Sequence, residues 1–317
     1  MEILFFESVY KDYLWGGNRL AKEFNKNTPY EITAESWEIS ANKNGKSIIK
    51  NGEYSRLNLE ELFSKENLRK EIFGNKTINL KEFPILIKFI DANKNLSVQV
   101  HPDNEYARKY ENSLGKTEMW YIMDCNEDSK IVCGVNEDIN KEQLEKIVRS
   151  GKIKEGLKYI NVQKGDSILI KPGTIHAIME GTLICEIQQN ADLTYRVYDW
   201  DRVDKNGKSR ELHIDKALDV INLNNVPNKV QSEEIENQNL VDCEFFKTDK
   251  IQVKDKYCDN SDQDTFITMN VVDGEGKVRS IANNQEFIIR RGDSFLIPAN
   301  LGEFEIVGNL TLLKSSL

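Results

Sequence analysis

Histidine is scarce in this 317-residue chain, with only His101, His176 and His213. Imidazole chemistry is thereby confined to three places. The five cysteines, Cys125, Cys133, Cys185, Cys243 and Cys258, are odd in number and include no C-x-x-C pair. That argues against a disulfide framework or a thiolate metal site and points to free thiols in a reducing cytoplasm. No apolar run approaches eighteen residues and the mean hydropathy is -0.55, so no membrane-spanning helix is expected. The longest apolar stretch, Phe83–Ile90, is broken by Lys88 and has the length of a buried strand. The opening MEILFFESVYK has neither a basic leader nor a small-residue cleavage site, so no signal peptide is expected. G-x-G-x-x-G, Walker and G-x-S-x-G motifs are missing, which leaves nucleotide-binding and serine-hydrolase readings unsupported. Positive charge is also short, at 43 Lys and Arg against 52 Asp and Glu. A surface of net charge -9 repels nucleic acid and anionic lipid, so neither is an expected partner.

What is present suffices for a large core, with 39% hydrophobic and 30% charged residues over a length that suits two domains. Most of the chain reads as short strands between turn signals: Phe83–Ile90, Leu96–Val100, Glu118–Asp124, Lys130–Val135, Asp166–Lys171, Thr182–Gln188, Thr265–Val272, Glu286–Ile289 and Ser294–Ile297. Helical spacing of apolar residues is confined to Leu57–Ile72, Asn140–Val148 and Ser209–Leu223. His213 falls near the start of the third, where a structural or capping role is expected.

One segment repeats. Gly165-Asp166-Ser167-Ile168-Leu169-Ile170 ahead of Pro172 returns as Gly292-Asp293-Ser294-Phe295-Leu296-Ile297 ahead of Pro298. A Gly-Asp turn feeding an apolar strand that ends at proline, found twice at a domain-sized interval, points to two related jelly-roll barrels of the cupin type. The repeats differ four residues past each proline, where the first has His176 and the second Gly302. A metal, if one is held, belongs to the first barrel. The polar stretch Asn222–Asn239 reads as the connection between barrels. The expected fold is therefore mainly β, a double cupin-type jelly roll with a few helical insertions. Residues 1–224 would form the metal-binding barrel and 240–317 a smaller degenerate one.

Gln99 and His101 stand at i and i+2, on one side of a strand and about 6.6 Å apart. Val98 and Val100 face the other way. Glu118 heads an apolar strand, and a carboxylate pointing into a barrel is costly unless paired with a cation. With His176, these residues offer two nitrogens and two oxygens, a set suited to Zn²⁺, Fe²⁺ or Mn²⁺. Arg196, in the segment from Glu186 to Arg202, could stabilise an oxyanion or bind phosphate. Trp15-Gly16-Gly17 reads as a tight turn with an exposed aromatic. Ser36-Trp37-Glu38-Ile39-Ser40 alternates like a strand.

Taken together, the segments LWGGNRL (14–20), ESWEIS (35–40), PILIKFIDA (84–92), LSVQVHPDNEYA (96–107), GKTEMWYI (115–122), KPGTIHAI (171–178) and EIQQNADLTYRVYDWDR (186–202) resemble the type I, metal-dependent mannose-6-phosphate isomerases in their short bacterial form. The resemblance spans the first two thirds of the chain, and the last third matches loosely. It implies a double jelly roll that interconverts mannose 6-phosphate and fructose 6-phosphate with one zinc per chain. The ligands would be Gln99, His101, Glu118 and His176. The catalytic arginine would fall on Arg196, and Lys116 and Glu186 on further active-site positions. Glu186, Lys116 or a water on the zinc could be the base. The phosphate of the phosphorylated-sugar substrate needs cations in so acidic a protein, for which Lys88, Lys116, Arg196 and Arg202 are candidates, with Ser97 as a hydrogen-bond donor. No oligomeric state is implied. A sugar- or metal-binding barrel without turnover is the competing reading.

Overall fold

The computed structural model describes residues 1–24, 26–204 and 206–317. Three sheets carry the architecture. A seven-stranded sheet runs in the order Asn228–Val230, Ser167–Ile170, Glu118–Asp124, Thr182–Gln189, Ile85–Ala92, Glu35–Ile39, Val9–Lys11. A five-stranded sheet runs Leu157–Asn161, Lys130–Val135, His176–Ala177, Val98–Val100, Tyr195–Tyr198. The two enclose a core of Trp120, Ile122, Ile168 and Ile184 from the larger sheet with Ile131 and Cys133 from the smaller. The third sheet has nine strands, most of them from the C-terminal part of the chain. Its own interior holds Met269, Val271, Phe295, Ile297, Phe304 and Ile306.

The strand Ile85–Ala92 is buried along its whole length because both of its faces are covered. Lys88 and Ile90 point into the first barrel. Ile87 and Phe89 point outward into a second cluster that also contains Leu296 and Leu313 of the nine-stranded sheet and Phe266, which directly precedes its strand Ile267–Ser280. The barrels thus pack face to face. They also share chain, since Leu4–Glu7 pairs with Ser294–Ile297 and with Ile48–Ile49.

The repeated Gly-Asp segment is reproduced bond for bond. Gly165 and Gly292 both lie at positive φ, 92° and 94°. The Asp166 carboxylate accepts from Gln163 N at 3.0 Å and that of Asp293 from Arg290 N at 2.8 Å. Gly165 N donates to Ile122 O and Gly292 N to Val271 O, each at 2.8 Å.

Several sequence expectations need correction. Leu57–Ile72 is two helices, Leu59–Phe63 and Glu66–Phe73, because Lys65 is extended. The break turns both Phe63 and Phe73 into one aromatic cluster with Phe83. Of Ser209–Leu223 only Ile214–Val220 is helical. The residues before it run along the strand Tyr195–Tyr198, tied by His213 N to Arg196 O at 2.8 Å. His213 sits at the helix start but makes no side-chain cap. Its Nδ1 accepts from Arg196 N at 3.1 Å instead. Trp15 is in a turn but is buried, not exposed, because its indole joins the barrel core with Ala34, Ile90 and Trp120. The polar stretch Asn222–Asn239 includes an edge strand, Asn228–Val230, paired with Ser167–Ile170. The helix Asn104–Glu111, capped by Asp103 onto Tyr106 N, was not read from the sequence. No described helix is long and apolar enough to cross a membrane.

Candidate active site and metal centre

The strand Val98–Val100 alternates as its sequence requires. Val98 and Val100 join an apolar layer under the helices Lys141–Arg149 and Ile214–Val220. Gln99, on the opposite side, is in register with both His176 and Arg196. Directly paired residues of antiparallel strands share a face, so Gln99, His176 and Arg196 do. The strand Glu118–Asp124 enters from the facing sheet and carries Glu118 to the same place.

Three buried side chains converge there. His101 Nε2 and His176 Nε2 are 3.2 Å apart. Glu118 Oε2 is 3.4 Å from His101 Nε2, and Glu118 Oε1 is 3.3 Å from His176 Nε2. His101 Nδ1 lies 2.8 Å from Leu193 O, and His176 Nδ1 lies 2.8 Å from Thr174 O. A carbonyl only accepts, so both Nδ1 atoms carry hydrogen and both Nε2 atoms present lone pairs. Two lone pairs facing each other at this distance repel. A Lewis acid between them removes the conflict. Glu118 Oε1 is buried without a hydrogen-bond donor, again as a cation site requires. Burial, helped by Lys116, pushes the His101 imidazole down to about 3, so the ring stays neutral and able to ligate.

The surrounding charges do not balance. Lys116 contacts Glu118 and lies 3.5 Å from Glu186 Oε1. Glu186 also accepts from Trp120 Nε1 at 3.2 Å and pairs with Lys88 at 3.4 Å. Lys88 reaches Glu35 at 3.5 Å, and Glu35 accepts from Trp37 Nε1 at 2.6 Å. All five charged groups are buried. Three carboxylates against two ammoniums leave one negative charge in a low-dielectric interior, which either a proton or a metal must offset. The two glutamates are driven apart. Burial would raise Glu118, but Lys116, His101 and His176 hold it well below the usual carboxylate range. Burial pushes Glu186 up to about 7 against the pull of Lys116.

The structure therefore brings together His101, Glu118, His176, Lys116, Glu186 and Lys88. Gln99 and Arg196 lie on the same sheet face, half-buried. Ser97 is buried two residues before Gln99. Arg202 is held elsewhere, by Asn95 O and at 3.7 Å from Asp199, and contacts none of the cluster. Sequence reading missed Glu35 as the second partner of Lys88. The signal lay in the alternation of Glu35 with Trp37, whose register partner is Lys88.

Comparison with known proteins agrees with this geometry. Residues 3–137 match the family described as phosphomannose isomerase type I, catalytic domain, and residues 236–317 match the mannose-6-phosphate isomerase cupin domain. The mannose-6-phosphate isomerase ManA of Bacillus subtilis (strain 168) is 39% identical, over 100% of this chain and 99% of that one. The chain belongs to the type I phosphomannose isomerase family. A crystal structure of the mannose 6-phosphate isomerase from Bacillus subtilis superposes on this isomerase with a TM-score of 0.91, at 33% identity and full coverage of both chains. A more distant mannose 6-phosphate isomerase structure, bound with zinc and yttrium, has the same fold at a TM-score of 0.80 and 14% identity, covering 99% of both chains. The mainly β, cupin-type architecture expected from the repeat is thus the one observed, and the enzyme is an isomerase with a candidate metal centre in its first barrel.

Proposed function

We propose that this isomerase interconverts mannose 6-phosphate and fructose 6-phosphate through an enediol, with one zinc per chain held by Gln99, His101, Glu118 and His176. The observation that carries the reading is the pair of imidazoles whose Nδ1 atoms are spent on backbone carbonyls, leaving both Nε2 lone pairs turned toward Glu118. Zinc bound there supplies electrophilic stabilisation for charge that develops on the sugar oxygens.

The protein's own groups do the rest. Glu186 and Lys116 are a carboxylate and an ammonium 3.5 Å apart at the edge of the ligand cluster. Glu186, or Lys116 once it has given up its own proton, takes the C2 proton and returns it at C1. Trp120 holds Glu186 Oε1 and Lys88 holds Oε2, so a proton moves on and off the carboxylate without the side chain swinging. Arg196 is the cation for the developing oxyanion or the phosphate, and Lys88, Ser97 and Arg202 are assigned to substrate binding. Residues 1–224 form the catalytic unit and 240–317 a unit without metal ligands. The free thiols favour a cytoplasmic setting.

The test is isomerisation of mannose 6-phosphate before and after chelation and after zinc is restored. Loss and recovery with zinc is the expected result. Sugar binding without turnover, under any divalent metal, would overturn the catalytic reading and leave a binding barrel.

A further inference from the structure

Outside the cluster just described, two guanidinium groups lie against one buried carboxylate and a third is held close by. Asp199 follows the strand Tyr195–Tyr198 and is buried. Arg210 Nε donates to Asp199 Oδ2 at 2.7 Å and Arg210 Nη2 to Asp199 Oδ1 at 2.6 Å, a bidentate pair. Arg202 Nη1 lies 3.7 Å from the same Oδ1. Arg196 Nη1 donates to Glu211 O at 2.8 Å, which sets it beside Arg210 along the chain. Among the described residues, Asp199 is the only carboxylate in salt-bridge contact with any of the three. The Glu211 carboxylate also acts on Arg196, and two negative charges against three positive ones still leave one unbalanced. Arg196 Nε and Arg202 Nη1 are moreover buried and hydrogen-bonded to nothing in the described residues. Unpaired buried N–H groups on cations are costly, and an anion supplied from outside would satisfy them.

The cluster adjoins the reaction centre. Arg196 is in register with Gln99, itself in register with His176. The Tyr13 phenol is pushed up by burial, further by Glu35 and Asp192, and opposed by Lys88 and Arg210, which puts that ring within electrostatic reach of both the Lys88–Glu35 pair and Arg210. Arg210 keeps about a third of its side chain exposed, so it can meet a ligand arriving from solvent.

We infer that Arg210, oriented by Asp199, is a substrate-binding residue that completes an anion subsite with Arg196 and Arg202 and takes a phosphoryl group. This rests on the reading of the site as one for a phosphorylated sugar. Asp199 is the positioning residue. It spends its two oxygens on one edge of Arg210 and leaves that guanidinium's remaining N–H groups for the ligand.

Inorganic phosphate is the probe, titrated calorimetrically into the zinc-loaded full-length protein. Arg210→Ala should weaken phosphate binding about ten- to a hundredfold, with zinc content unchanged. In turnover the loss should appear in KM for mannose 6-phosphate rather than in kcat. Asp199→Asn should weaken phosphate less than Arg210→Ala does. Phosphate affinity and KM both unchanged in a folded Arg210→Ala protein would overturn the inference. If Arg210→Ala melts early, Arg210→Gln keeps a hydrogen bond to Asp199 without the charge and decides in the same way. A wild-type protein that binds phosphate through Arg210 but does not isomerise the sugar would sink the functional reading and leave this subsite standing.

Discussion

Single atoms decide the chemistry of this chain. His101 and His176 are able to ligate a metal because their Nδ1 atoms are already committed to Leu193 O and Thr174 O. Replacing either with alanine should abolish zinc binding and turnover together, read by metal analysis and by assay of the same preparation. Arg196→Ala should keep its zinc and lose turnover, because Arg196 is a neighbour of the ligands and not one of them. Thiol reactivity is the second residue-scale prediction. Burial pushes the Cys133 thiol up to about 12 and the Cys185 thiol well above its usual range, whereas Cys258 is exposed. Thiolate is the reactive form. Alkylation of the native protein at pH 8 should therefore mark Cys258 first and spare Cys133 and Cys185 until the chain unfolds, as peptide mass mapping would show.

Among the elements, the repeated Gly-Asp turn was legible because its physics is local. Gly165 and Gly292 take a backbone conformation that side chains resist, and an added Cβ would sit 2.6 Å from Ser232 Cβ and 2.7 Å from Phe24 Cβ respectively. Each glycine-to-alanine change should cost about 1–3 kcal/mol of stability by chemical denaturation. Helix ends behave similarly. The Lys141–Arg149 helix opens with a reciprocal cap between Asn140 and Gln143. Asn140→Ala should cost about 1 kcal/mol while leaving zinc content untouched. Leu57–Ile72 and Ser209–Leu223 were over-read for the converse reason. Apolar spacing alone does not register that Lys65 must be extended for Phe63 and Phe73 to meet, nor that Ser209–His213 is drawn into contact with a strand.

For the molecule as a whole, stability and site are coupled through the shared sheet. Its outer face meets Phe266 and, from the nine-stranded sheet, Leu296 and Leu313, and its inner face carries Glu118, Glu186 and Lys88. Phe266→Ala should cost about 3–5 kcal/mol, measured by denaturant unfolding. A chain truncated near Asn225 should not yield a stable, active fragment, because it exposes that apolar face and removes the partner of Leu4–Glu7. Chelation should lower the melting temperature, since the buried cluster then carries three carboxylates against two ammoniums, and a ligand that binds only the folded state stabilises it.

The sequence alone determined the β-rich double-barrel plan, the barrel that can hold a metal, and three residues, His101, Glu118 and His176, that meet there as a candidate metal site. Those properties rest on short-range alternation, on turn residues, and on a histidine that one repeat has and the other lacks. Tertiary structure decided the rest. It set the tautomers of both imidazoles, since the accepting carbonyls are remote or conformation-dependent. It paired Lys88 with Glu35 as well as with Glu186, because three strands distant in sequence lie side by side. It also moved Arg202 away from the metal cluster and set Arg210 beside Asp199, because the loop after Tyr198 returns along its own strand, and only the folded chain brings residues 199 and 210 within hydrogen-bond reach.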